Sequence, residues 1–122
     1  METTQRYGLL AIRILLTLAF LAAGTFKLIG DASMVAVFDA VGLGQWFRYL
    51  TGAIEIAGAV LLWVSGRQAI GAALLTATMI GAVGAHLLVL GPSAIPALVL
   101  GVLAAILLWH HRHQLIGNHQ PA

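Results

Sequence analysis

The chain has no cysteine, which excludes disulfides, dithiol redox chemistry and thiolate metal sites. It is also poor in charge. Lys, Arg, Asp and Glu make up 8% of its 122 residues, against about a quarter in an ordinary soluble domain. Six basic and four acidic groups cannot supply the exterior of a soluble globular enzyme, the basic face of a nucleic-acid binder or the charge of a disordered segment. The sequence also lacks a glycine-rich phosphate loop, a nucleotide fingerprint and any nucleophile beside its base.

What the chain does have is apolar length. Hydrophobic residues make up 61% of it and the mean hydropathy is +0.99, the composition of a membrane protein. A helix crosses the hydrocarbon core with about 20 residues, and the apolar part of the chain amounts to roughly four such lengths. From Gln68 to His111 there are 44 residues without Asp, Glu, Lys or Arg. That is about twice one crossing, so the run folds back, and Gly91, Pro92 and Ser93 supply the reversal.

The expected fold is all-α: one transmembrane domain over residues 1–122, an integral membrane four-helix antiparallel bundle. Its spans cover about residues 7–29, 47–65, 69–90 and 94–110. Small residues at Ala22, Ala23 and Gly24 imitate a signal-peptide cleavage region, but three more apolar segments follow, and the first span is read as retained. Between the first two spans, Met34, Val37, Phe38 and Val41 recur at helical spacing with Asp39 on the other side. A short interfacial helix is expected there, capped by Asp31 or Ser33 and ended by Gly42 and Gly44.

The net charge of +2 and pI near 9.7 report orientation, not nucleic acid. A cytoplasmic N-terminus puts Arg6, Arg13, Arg67 and Arg112 inside and leaves only Lys27 and Arg48 near the other face, with both termini cytoplasmic. Tyr7, Trp63 and Trp109 then form the inner aromatic belt, and Trp46, Phe47 and Tyr49 the outer one. Small residues are expected to mark helix contacts: Ala69, Ala73, Ala77, Gly81 and Ala85 in the third span, Ala97, Gly101 and Ala105 in the fourth, Gly52 and Ala59 in the second. The same stripes offer a surface for a homo-oligomer.

Three ionisable residues stand at membrane depth: Lys27, Glu55 and His86. An unpaired charge there costs roughly 3 kcal/mol. On the helical wheel Lys27 shares a face with Gly24, and Glu55 with Gly52 and Ala59, so a shared polar cluster in the outer half of the bundle is expected. Each has a plainer role as well. Lys27 can snorkel, His86 can bond a backbone carbonyl, and a Lys27–Glu55 pair alone is structural. If Glu55 also faces His86, the site can exchange protons. Trp46 and Phe47 are expected to line its opening. The histidines from His110 to His113, with His119, imitate a metal motif, but no carboxylate or cysteine joins them and no metal site is expected. Thr25, Thr51, Thr76 and Thr78 are expected to bond their own helix backbone.

Phe20 to Leu28 reads F-L-A-A-G-T-F-K-L, Gly52 to Gly58 reads G-A-I-E-I-A-G, and His86 falls late in the third span. With these motifs the chain resembles the DoxX and DoxX-like group of small four-helix bacterial membrane proteins over nearly its whole length. The resemblance implies a four-span protein of the bacterial inner membrane, tied to quinone-linked or thiol-stress redox systems. Some related proteins are subunits of a thiosulfate to quinone oxidoreductase. The absence of cysteine argues against a thiol role here.

The resulting expectation is a site for the polar head of a lipophilic, quinone-like molecule. Glu55 accepts a hydrogen bond or proton, Lys27 balances its charge and His86 donates or relays. Two alternatives belong to other classes. One is a small proton-coupled exporter of the multidrug type, whose family carries its glutamate in the first span, where this chain has Lys27. The other is an accessory subunit of a redox complex, without chemistry of its own. In each case the lipid bilayer is a partner, and a stand-alone enzyme is not the favoured reading.

Overall fold

A computed structural model describes residues 2–91 and 93–116. It is helical throughout, without a strand among the described residues: α1 (Thr3–Ile29), α2 (Ala32–Val41), α3 (Trp46–Leu61), α4 (Gln68–Ala85) continued by a π-helical turn (His86–Leu90), α5 (Ile95–His110), and a short 3₁₀ segment (Arg112–Ile116).

The breaks follow from local chemistry. Gly30 ends α1 in the left-handed conformation, donating its N–H to the Lys27 carbonyl. Asp31, not Ser33, then caps α2 by accepting from the Ser33 N–H, and left-handed Gly42 closes it. At the reversal between α4 and α5, Ser93 Oγ accepts from the Ile95 N–H, and Pro96 sits in the first turn of α5, where its missing N–H is harmless. Pro92, assigned to this reversal from the sequence, lies outside the described residues.

The helices run antiparallel in the order α1, α3, α4, α5. α1 packs on α3, α3 on α4 and α4 on α5, whereas α1 meets α5 only lightly. Close approaches set the register. A Cβ built on Gly24 would lie 2.9 Å from the Gly52 carbonyl oxygen, and one on Gly71 would lie 2.6 Å from that of Gly58. α1–α3 and α3–α4 therefore touch backbone to backbone, as helices in lipid do when glycines line the seam. The core is narrow, built of Leu16, Phe20, Ala59, Leu62, Ala72, Leu75, Met79, Ala104 and Leu107.

Around that core, large apolar side chains face outward on every long helix, among them Ile14, Leu18, Val60, Ile80, Leu98, Val99 and Val102. A protein surrounded by water seldom exposes so much. Thr3–Ile29 and Gln68–Leu90 are each long and apolar enough to cross a membrane. α3 and α5, at 16 residues each, reach about 24 Å.

Two expectations shift. The second span is expected to reach residue 65, but α3 ends at Leu61, because the Leu62 carbonyl is taken by Arg13 and the chain turns through left-handed Gly66. The every-fourth stripe in α4 is not the contact face: Ala69 is buried, but Ala77 and Gly81 are exposed, and the buried row is Ala69, Ala72, Leu75 and Met79. With 3.6 residues per turn, a row of every fourth residue drifts by about 40° per step and leaves the interface within a few turns.

Candidate functional site

The polar residues gather at the end of the bundle that carries α2. Lys27 and Glu55 each follow a glycine by three residues, Gly24 and Gly52, on the facing sides of α1 and α3. Bare glycines bring the two backbones together. A Cβ on Gly52 would lie 3.0 Å from both the Gly24 carbonyl oxygen and the Lys27 Cβ, so Lys27 is level with Gly52 and Glu55 lies almost one turn deeper. Because side chains lean toward the N-terminus of their own helix, antiparallel α1 and α3 tilt lysine and glutamate toward each other. Lys27 Nζ lies 2.8 Å from Glu55 Oε1, with side chains 14% and 2% exposed. The contact is a buried ion pair.

One turn before Gly52, Arg48 is also buried, at 5% exposure. Its Nη1 donates to the Lys27 carbonyl and its Nε donates to Gln45 Oε1 at 2.7 Å, while the guanidinium lies 4.3 Å from the centre of the Tyr49 ring. The arginine thus sits on the carbonyl-rich end of α1, where the helix dipole favours a cation. Gln45 extends the chain of bonds, its Nε2 donating to the Val35 carbonyl at 3.0 Å and to Asp39 Oδ1 at 2.8 Å. α2 is tied by this route to the ends of α1 and α3.

His86 opens the π-helical turn at this same end, against which α2 packs. π-turns recur at functional sites. Its Nδ1 is buried and has no hydrogen-bond partner among the described residues. The structure brings Lys27 and Glu55 into contact, and among the described residues no hydrogen bond or ion pair joins His86 to either. Phe47 is half-buried and packs edge-on against Phe38 and Trp46, with ring centres 5.9 and 5.6 Å apart. Trp46 is 62% exposed.

The opposite end has its own polar contacts. Arg13 donates to the Leu62 carbonyl at 3.3 Å and lies 4.3 Å from the Trp63 ring centre, and Trp63 Nε1 donates to Thr17 Oγ1 at 2.8 Å. Gln114 stitches the last segment to α4, accepting from the Ala69 N–H at 2.8 Å and donating to Gln68 Oε1 at 2.7 Å. Thr51, Thr76 and Thr78 each bond the carbonyl four residues earlier. The rings of His110 and His111 lie 4.8 Å apart. Burial first, then the charges of His110, His113 and Arg13, hold the His111 imidazole down at about 4, so it stays neutral at neutral pH. His119 lies outside the described residues.

Against known families, the model of the DoxX-like family matches residues 11–109, a stretch that contains Lys27, Arg48, Glu55 and His86. The chain belongs to the DoxX-like family. Comparison with curated proteins and with solved structures found no match. This DoxX-like protein is a membrane protein, as its composition and its outward-facing apolar surface require. Arg48 and Gln45 are the site residues that the sequence reading missed. The signal is in the sequence: Arg48, Gly52, Glu55 and Ala59 stand at spacings of four, seven and eleven, one face of one helix, although a lone arginine at a span's entrance reads equally as a charge near the membrane surface.

Proposed function

We propose that this DoxX-like protein receives the polar head of a lipophilic, quinone-like molecule at the α2 end of its bundle and thereby serves a membrane redox system. The observation that carries the reading is the buried, unpartnered Nδ1 of His86 at the same end as the buried Lys27–Glu55 pair. A buried polar atom without a partner costs about 1–3 kcal/mol, and a ligand that bonds it recovers that cost. In this reading His86 contacts the ligand, Glu55 accepts a hydrogen bond or proton from it with Lys27 balancing the charge, and Phe47 and Trp46 line its approach from the bilayer. All four long helices cross the bacterial inner membrane, with both termini cytoplasmic and this site in the outer half. The proton-coupled exporter is less favoured, because its family carries the glutamate in the first span, where this chain has Lys27.

The test is solvent extraction of the protein purified in mild detergent, followed by titration with a short-chain quinone. Wild type is expected to retain a quinone-like molecule, and His86→Ala to lose it with its melting temperature unchanged. If wild type neither retains such a molecule nor binds the added quinone, the reading fails.

A further inference from the structure

At the end opposite α2, the weak contact between α1 and α5 leaves a groove of about 600 Å³, lined by Gln5, Gly8, Leu9, Ile12, Ile106, Trp109, His110 and Arg112. This is within the size range of small-molecule sites, about 300–1,000 Å³. Its lining is graded. Leu9, Ile12 and Ile106 form the deep part, toward the middle of the bundle, while Gln5, His110 and Arg112 form the rim at the helix ends. Exposed Tyr7 and Trp109 stand on α1 and α5 between the two, and such aromatics settle at the boundary between headgroups and acyl chains.

The rim is cationic. Arg112 is held over the Trp109 ring, 3.9 Å from its centre, and donates Nη1 to the Trp109 carbonyl at 2.6 Å, its other N–H groups making no hydrogen bond among the described residues. This end of the chain carries Arg6, Arg13, Arg67 and Arg112 against the single acid Glu2, whereas Lys27 and Arg48 at the other end face Asp31, Asp39 and Glu55. Gly8 borders open space in the groove: a Cβ there would meet nothing within 4 Å.

We infer that this groove is a binding site for one anionic phospholipid, its phosphate on Arg112 with Gln5 and His110 as further donors, and its acyl chain along Gly8, Leu9, Ile12 and Ile106. Charge complementarity at the rim selects an anionic headgroup over a zwitterionic one. The apolar depth selects a lipid over a free phosphate. The site lies at the far end of the bundle from the proposed quinone site, and either can fail alone.

Native mass spectrometry of the full chain in detergent, titrated with phosphatidylglycerol or phosphatidylcholine of identical acyl chains, tests it. Wild type is expected to hold one phosphatidylglycerol at least tenfold more tightly than phosphatidylcholine. Gly8→Leu, whose side chain enters open space, is expected to weaken phosphatidylglycerol about tenfold with its melting temperature kept. Arg112→Gln, at an exposed position, is expected to abolish the preference while phosphatidylcholine binding stays. Equal binding of the two lipids by wild type overturns the inference. So does unchanged binding by Gly8→Leu, or competition by glycerol phosphate at the lipid's own concentration. A change of oligomeric state in Gly8→Leu assigns the groove to a second copy and also overturns it.

Discussion

Lys27 and Glu55 hold two charges in a seam almost closed to its surroundings, and each depends on the other to stay there. Removing one partner of such a buried pair costs about 3–5 kcal/mol, much of it from the charge left behind, whereas replacing both with apolar groups of similar size is often nearly neutral. Lys27→Met and Glu55→Leu are therefore each expected to destabilise the protein in detergent, and the double variant by less than their sum, with a coupling of about 2 kcal/mol. Equilibrium unfolding of the four proteins gives the value, and strict additivity would mean that the pair contributes nothing. Arg48 differs in kind: its positive charge is met by the carbonyl end of α1, Gln45 and a tyrosine face. The pair was legible in the sequence because lysine and glutamate are rare at membrane depth and both follow a glycine at one-face spacing. That His86 bonds neither of them was not, because the reach of an α4 side chain depends on how α4 packs on α3, where Gly71 and Leu75 meet Gly58.

Among the elements, the glycines divide by what faces them. Gly71 lies where an added methyl would press on the Gly58 backbone, while Gly81, on the same helix, faces open space. Gly71→Ala is expected to destabilise the bundle by about 1–3 kcal/mol through overpacking. Gly81→Ala is expected to be neutral or to stabilise by up to about 1 kcal/mol through helix propensity. Thermal melts in one detergent compare the two directly, and equal effects would remove the close α3–α4 contact from the account. The sequence shows both as small residues in an apolar helix. Which of them meets a neighbour depends on a crossing angle that no single helix contains.

For the whole molecule, charge is distributed by end, with four arginines at the end where α1 and α4 begin and α5 finishes. Positively charged segments remain cytoplasmic, so that end is expected inside. Because the chain has no cysteine, one introduced thiol reports its own position. A membrane-impermeant maleimide added to intact cells is expected to label Ala36→Cys, on the exposed side of α2, and to reach Ser65→Cys, in the exposed turn after α3, only after the membrane is opened. The reverse pattern would invert the orientation.

Helix number, the short α2, the reversals and the membrane environment were all determined by the sequence itself, because each depends on local properties: apolar run length, capping side chains, and glycines that adopt positive φ. Tertiary structure alone decided which faces meet, that Arg48 is buried on the end of α1, and that α1 and α5 part to leave a groove. Those outcomes depend on how closely neighbouring backbones approach, and a glycine allows close approach only where the facing helix also presents little side chain.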